Sequence, residues 1–260
     1  MKRVSKLALL LKRSVRNASM MARVIRRRAT RLGAGALLGR TMPPRVPVVY
    51  LDAGLHRSAT QLKLVQDWLG SCTALRQYGF EAHPTYATEV KGAFASCPTV
   101  DIVNVAIVGP GQGDHVRLHL DGKGGAGDSL IKLGTGQAID VPAVRLSRFL
   151  SDAGVDPAKS VLILRMNIEG AELFVLEDLL DAGVLELFDG FYGSWDDPLK
   201  IGGETARRFL QIRDAAHVEN LAFNDKDCLS PSRLAAIRYD LTTSILYGAR
   251  RKALEPAATV

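Results

Sequence analysis

The chain has 260 residues, 47% of them hydrophobic and 23% charged, which suits one sizeable α/β domain with a buried core. Its three cysteines, Cys72, Cys97 and Cys228, are odd in number and form no CxxC pair. That argues against a disulfide framework or a zinc knuckle and for a reducing compartment. The net charge of +7 is uneven: the first 51 residues hold 13 of the 34 Lys and Arg and no acid, leaving 21 basic against 27 acidic residues, a charge of −6 on the remainder.

Residues 1–46 read as a basic amphipathic arm. Val4, Leu7, Leu11 and Val15 fall on one helical stripe, with Lys2, Arg3, Lys6, Arg13 and Arg16 mostly around it. Met21, Val24 and Ile25 repeat the pattern against Arg23, Arg26, Arg27 and Arg28. Lys12 and Arg13 cut the apolar region short and no small-residue cleavage site follows closely, which argues against a secretory signal. The composition leaves several readings open: an anionic membrane surface bound through residues 1–40, a self-packing arm without a specific ligand, a mitochondrial-type transit segment, or, as the weaker expectation, nucleic acid. No apolar run approaches the roughly 20 residues that span a bilayer. The expected location is therefore cytoplasmic, peripheral at a membrane surface if the arm binds lipid. Gly33-Ala34-Gly35, then Pro43-Pro44 and Pro47, break the pattern and place the boundary of a domain over residues 47–260.

The domain opens with the apolar run Val48-Val49-Tyr50-Leu51, ended by Asp52-Ala53-Gly54. Leu62, Val65 and Leu69 then recur at helical spacing over Ala59–Leu69. Strand, acidic-Gly turn and helix open a nucleotide-type α/β fold. Neither GxGxxG nor a P-loop occurs, so the standard dinucleotide and phosphate fingerprints are absent. Leu75–Glu81 reads as a second strand closed by a carboxylate, Glu81, placed to accept two hydrogen bonds from a ribose diol. Its competing reading is a capping or surface Glu. A helix starts at Pro84 and runs through Phe94. Asp101–Val108 reads as a third strand, and Val116, Leu118 and Leu120, alternating with Arg117 and His119, as a half-buried strand. His115 and His119 would stand about 13 Å apart on that strand, too far to share a metal, and no metal site is expected. Gly122–Gly127 reads as a loop, not a phosphate cradle, because no helix pattern follows it.

Val144–Asp152 has the pattern of a short helix. Val161–Leu176, VLILRMNIEGAELFVL, reads as a buried parallel strand feeding a helix that begins at Ala171. Ligands bind at the carboxyl ends of such strands, which makes Asn167 and Glu169 site candidates. Two residues apart, they are expected to leave the strand on one face; the competing reading is that they cap the helix. Phe188–Trp195 reads as a fifth strand and its mouth, Ala206–Ala216 as a helix, and Leu221–Asn224 with Ile237–Leu246 as a closing pair of strands. The fold class expected is α/β: a Rossmann-like, mostly parallel seven-stranded sheet with helices on both faces, preceded by the basic arm.

These residues resemble the FkbM-type family of S-adenosylmethionine-dependent O-methyltransferases. LRMNIEGAELFVLEDLL is similar to the family's strand-turn-helix signature, with core K-I-D-x-E-G-x-E. YLDAGLHRSA stands where the family has Asp-x-Gly-Ala-Asn-x-Gly, YGFEAHP resembles its Phe-Glu-Pro stretch, and VNVAIVGPGQGDHVRLHL resembles its third strand and hairpin. The likeness spans Val48–Trp195. It implies S-adenosyl-L-methionine as cofactor and a hydroxyl acceptor on a sugar, glycolipid or related secondary metabolite, small or glycan- or lipid-linked. It implies that Asp52, Ala53 and Gly54 line the methionine end of the cofactor, that Glu81 holds the ribose, and that the backbone at Val105 and Ala106 lies near the adenine. It also implies that Asn167 and Glu169 face the sulfonium and acceptor as the catalytic pair. Glu169 is then the candidate general base and Asn167 the orienting group, with Asp196 and His56 as second candidates.

The chain departs from the family pattern at His56 (often Asn), Ser58 (Gly), Asn167 (Asp) and Ser147 (Asp), and its fifth strand ends in Ser194-Trp195-Asp196-Asp197. The substituted cofactor loop supports an alternative: a fold that has lost catalysis and serves as a membrane-associated scaffold.

Overall fold

The structure, a computed structural model of the chain, describes residues 46–70, 75–121, 127–131 and 136–254. Residues 1–45 of the basic arm lie outside these, as do Cys72 and residues 122–126 of the glycine-rich run.

Val48–Ala53 (β1) is buried at every position. A strand this apolar needs cover on both faces, and the helices packed on either side of its parallel sheet supply that. Six strands lie in the order β3-β2-β1-β7-β8-β9, and every pairing is parallel. They are Val100–Val103 (β3), Leu75–Phe80 (β2), β1, Val161–Met166 (β7), Gly190–Gly193 (β8) and Asn220–Leu221 (β9). Chain order runs outward from β1 in both directions, so it reverses between β1 and β7, the usual place for a crevice in such a sheet.

Side-chain alternation sorts the core into two layers. Val49, Leu51, Leu162, Leu164 and Met166 face Leu146–Asp152 (α3), Glu172–Asp181 (α4) and Gly203–Ala215 (α6) through Leu150, Leu176 and Phe209. Val48, Tyr50, Val161, Ile163 and Tyr192 face the other way. Packed against them are Thr60–Leu69 (α1), Pro84–Ala93 (α2) and the 24-residue Pro231–Leu254 (α8).

Four expectations need correcting. β1 continues through Asp52 and Ala53, and the turn begins at Gly54. Asp101–Val108 is two strands, not one: β3 stops at Val103, and Ala106–Val108 (β4) joins His115–His119 (β5) and Ala138–Arg145 (β6) in a separate three-stranded sheet, in the order β4-β6-β5. The break falls at Asn104, whose side-chain amide donates to the carbonyls of Glu81 and Ala82 and turns the chain away from the first sheet. Third, Ile237–Leu246 is helical. Ile237, Leu241, Ile245 and Ala249 are buried at four-residue spacing, the stripe of a helix lying on a sheet. No seventh strand therefore forms from this segment, and the central sheet has six among the described residues.

Fourth, Ala138–Arg145 (β6) was legible only from Val144 onward, and there as helix. It is the middle strand of the second sheet. His115–His119 (β5) pairs antiparallel with its first half, up to Pro142, and β4 pairs parallel with Ala143–Arg145. Pro142 sits where one partner gives way to the other, so its missing N–H costs little.

One buried carboxylate ties the C-terminal helix to the sheet. Asp189, 6% exposed, accepts from the Leu162 amide at 3.1 Å and from Arg251 Nη2 at 2.9 Å, and Lys252 Nζ lies at 3.9 Å. Lys252, itself buried, also donates to the carbonyls of Pro157 and Leu187.

Candidate functional site

A cleft of about 210 Å³ opens at the carboxyl ends of β1, β7 and β8. Gly54, His56 and Ser58 line it from the loop after β1, and Gln61 from α1. Arg165 and Asn167 line it from β7, Ser194 from β8. The wall opposite is Asn224, Asp225 and Lys226, where β9 leads into Asp225–Cys228 (α7).

The floor is a buried ion pair. Asp52 and Arg165 are register partners on β1 and β7, 0% and 2% exposed, and Arg165 Nη1 donates to Asp52 Oδ1 at 2.9 Å. The same guanidinium donates to the carbonyls of Gly54 at 2.8 Å and Phe223 at 3.3 Å. Burial raises the Asp52 pKa, against the pull of Arg165. For Arg165 burial works against the charge, but Asp52, Tyr50 and Asp225 outweigh it and hold the group above its ordinary value. Burial and the charge of Asp52 push the Tyr50 phenol well up.

Of the candidate site residues named from the sequence, Gly54, His56 and Asn167 meet at this cleft. Asn167 N–H donates to Ala53 O at 3.0 Å. A Cβ on Gly54 would stand 2.1 Å from the Asn167 carbonyl oxygen, and Gly54 has φ +84°. Ala53 is buried in β1 and contributes its backbone. Asp52 lies beneath the cleft, its carboxylate engaged by Arg165.

Glu81 stands just past β2, 8% exposed, and pins the cleft loop. Its Oε2 accepts from the His56 amide at 2.7 Å and its Oε1 from the His83 amide at 2.8 Å. Burial raises its pKa, while the two amides and the neighbouring histidines lower it. A carboxylate offers about four lone-pair sites, so two further donors can still be accepted. Val105 is half-buried and Ala106 buried at the junction of the two sheets.

Glu169 does not share a face with Asn167. β7 ends at Met166, so strand parity no longer applies beyond it, and Glu169 turns the chain with φ +52°. It is absent from the cleft lining and faces Asp121 and the start of Asp197–Ile201 (α5). Its pKa is raised to about 7, chiefly by burial and then by the charge of Asp197, with Lys200 opposing. Its carbonyl accepts from Ser129 Oγ at 2.7 Å. Glu172, fully buried, reaches back from α4 to the amides of Ile168 and Gly170, each at 2.9 Å. The turn Asn167–Ala171 is therefore held from inside. Burial also raises Glu172 to about 7.

Sequence reasoning passed over Arg165, Glu172, Asp225 and Lys226. Arg165 carried a signal: a cation inside the apolar run VLILRM needs a buried anion, and Asp52 was the acid on the neighbouring strand. Asn224 and Asp227 carried another, since they form a capping box. Asn224 Oδ1 accepts the amides of Lys226 and Asp227, and Asp227 Oδ2 accepts that of Asn224.

No protein family, no curated protein and no solved structure matches the chain.

Proposed function

We propose that the chain is an S-adenosylmethionine-dependent O-methyltransferase of the FkbM type, acting on a hydroxyl of a sugar, glycolipid or related metabolite. The observation that carries this reading is the cleft at the carboxyl ends of β1 and β7, where the strand order reverses, with Glu81 closing the neighbouring strand. The residues present fit the cofactor's polar ends. A guanidinium floor and a carboxylate wall suit an α-amino acid, and Glu81, outside that lining, accepts two amides and keeps lone pairs for a diol.

When bound, S-adenosylmethionine supplies an electrophilic methyl group. The chain's part is then to align the acceptor oxygen and take up its proton. Glu169 is the group for that proton, with the acceptor entering from the Asp121 and α5 side that it faces, outside the cleft lining. With a pKa of about 7 it is a stronger base than an ordinary carboxylate and still substantially ionised near neutrality. Asn167, at the cleft edge, orients. Ser129 holds the Glu169 carbonyl, and Glu172 holds the amides of Ile168 and Gly170 on either side of it. The basic arm would bring this site to an anionic membrane surface, each Lys or Arg there contributing about 1 kcal/mol. Flotation with anionic liposomes, comparing the full chain with one starting at Pro44, tests that part.

A second reading, the non-catalytic scaffold, draws on two observations: Asp52 Oδ1 is held by Arg165, and both Glu81 oxygens already hold amides. Calorimetric titration with S-adenosylmethionine and S-adenosylhomocysteine separates the two. Binding that weakens at least tenfold in Glu81→Ala supports the enzyme; no heat at millimolar ligand supports the scaffold.

A further inference from the structure

We infer that the segment Asn224–Lys226 makes the cleft selective for a zwitterion. Asp225 receives an α-ammonium group, and Arg165 with Lys226 receives the α-carboxylate of the same amino-acid end. The inference deepens the cofactor reading above, but its residues come from a connection that the family likeness, ending at Trp195, does not reach.

Charge arrangement is the first argument. Two cations and two anions meet at this point: Arg165 on the floor, Asp52 beneath it, Asp225 on the wall and Lys226 beside it. The pocket is neutral in sum but polarised, so a ligand bearing one charge of each sign fits better than an anion or a cation alone. Arg165 is 2% exposed, yet it lines the cleft, so the guanidinium acts there in a low-dielectric setting where a charged partner counts most.

Preorganisation is the second. Gln61, itself 2% exposed, donates from Nε2 to Asp225 Oδ1 at 2.9 Å, which fixes the carboxylate and leaves Oδ2 for a ligand. The capping box of Asn224 and Asp227 locks the backbone that carries Asp225 and Lys226. Arg165 is fixed by Asp52, Gly54 and Phe223. Groups held this way lose little freedom when a ligand arrives. Serine and asparagine side chains (Ser58, Asn167, Ser194) complete a polar lining with no large apolar surface.

Two sources could supply the amino-acid end: the methionyl part of S-adenosylmethionine or a free α-amino acid. Calorimetry on the full chain distinguishes them with three probes: S-adenosylhomocysteine, 5′-methylthioadenosine (which lacks the amino-acid end) and L-methionine. Asp225→Asn and Lys226→Gln are the variants, both at exposed positions, so folding is retained. We expect S-adenosylhomocysteine to bind at least tenfold more tightly than 5′-methylthioadenosine. Each variant should remove most of that difference while leaving 5′-methylthioadenosine unchanged, the loss for one charge-assisted bond being roughly tenfold. Equal affinity for the two nucleosides, or a difference that survives both variants, overturns the inference and leaves the cofactor reading standing. L-methionine binding that both variants abolish, with neither nucleoside bound, supports the zwitterion site and removes the cofactor reading. No heat with any of the three overturns both.

Discussion

Replacing Arg165 by Met isolates the energetics of the cleft floor. The change removes a cation that is 2% exposed and leaves Asp52, at 0%, as a buried anion without its partner. Breaking a buried pair from one side costs about 3–5 kcal/mol. The carbonyls of Gly54 and Phe223 lose a donor as well, and the buried one of Phe223 adds on the order of 1 kcal/mol. The expected loss at neutral pH is therefore about 4–6 kcal/mol, a large part of the stability of most domains. Urea unfolding followed by far-ultraviolet circular dichroism measures it. Two controls sharpen the test. Asp52, already raised by burial, will rise further once Arg165 is gone, so the deficit of the variant should shrink as pH falls and the carboxyl takes its proton. The double replacement Asp52→Asn with Arg165→Met should recover most of the loss, because no charge is left stranded. A deficit under about 1 kcal/mol for Arg165→Met, or one that does not change with pH, would refute the reasoning.

Three further outcomes are expected. Side-chain carbon NMR should find Glu169 titrating near 7, and Asp197→Asn should lower that midpoint only in part, because burial raises it most and Asp197 is the leading charge; an unmoved midpoint removes Asp197 as a contributor. Gly54→Ala places a methyl 2.1 Å from the Asn167 carbonyl at φ +84°, so unfolding should show a loss of at least about 2 kcal/mol, whereas Gly92→Ala, with open space around it, should show none. Glu172 has a folded pKa of about 7 against 4.5 unfolded, so the native state holds its proton more tightly. That contribution is complete below pH 4.5 and is lost as pH rises toward 7, about 3 kcal/mol in all. Urea midpoints across this range should fall in the wild type and fall less in Glu172→Gln.

The elements readable in advance were those whose pattern is set by their own neighbours. β1, α1, β2, α2 and β7 stand within two residues of expectation at each end, because apolar runs between Gly or Pro and stripes at helical spacing leave few alternatives. The misreadings share a cause in tertiary context. Ile237–Leu246 is rich in β-branched and aromatic residues, and only its placement on the Tyr50–Tyr192 face makes the four-residue stripe decisive. β6 hid behind Asp140 and Pro142, which are tolerated because one strand serves two partners in turn. Gly54, His56 and Asn167 were named from sequence and line the cleft, while Glu81 stands behind its loop, outside the lining. The division of labour between Asn167 and Glu169 was not legible, since it depends on where β7 stops. Arg165 and Asp225 were missed because their meaning lies in pairing across elements far apart in sequence.

The Asp189 node has a consequence for synthesis. A nascent chain reaches β8 with Asp189 already made, yet its cations, Arg251 and Lys252, are added more than sixty residues later. Until α8 leaves the ribosome, one face of the sheet lacks its longest cover and the ion pairs of Asp189 with Arg251 and Lys252 are unmade. Vectorial folding should therefore stall with the sheet half-clad. Arrest-peptide force profiling would locate the final docking event after residue 252 clears the exit tunnel, not at the completion of β9.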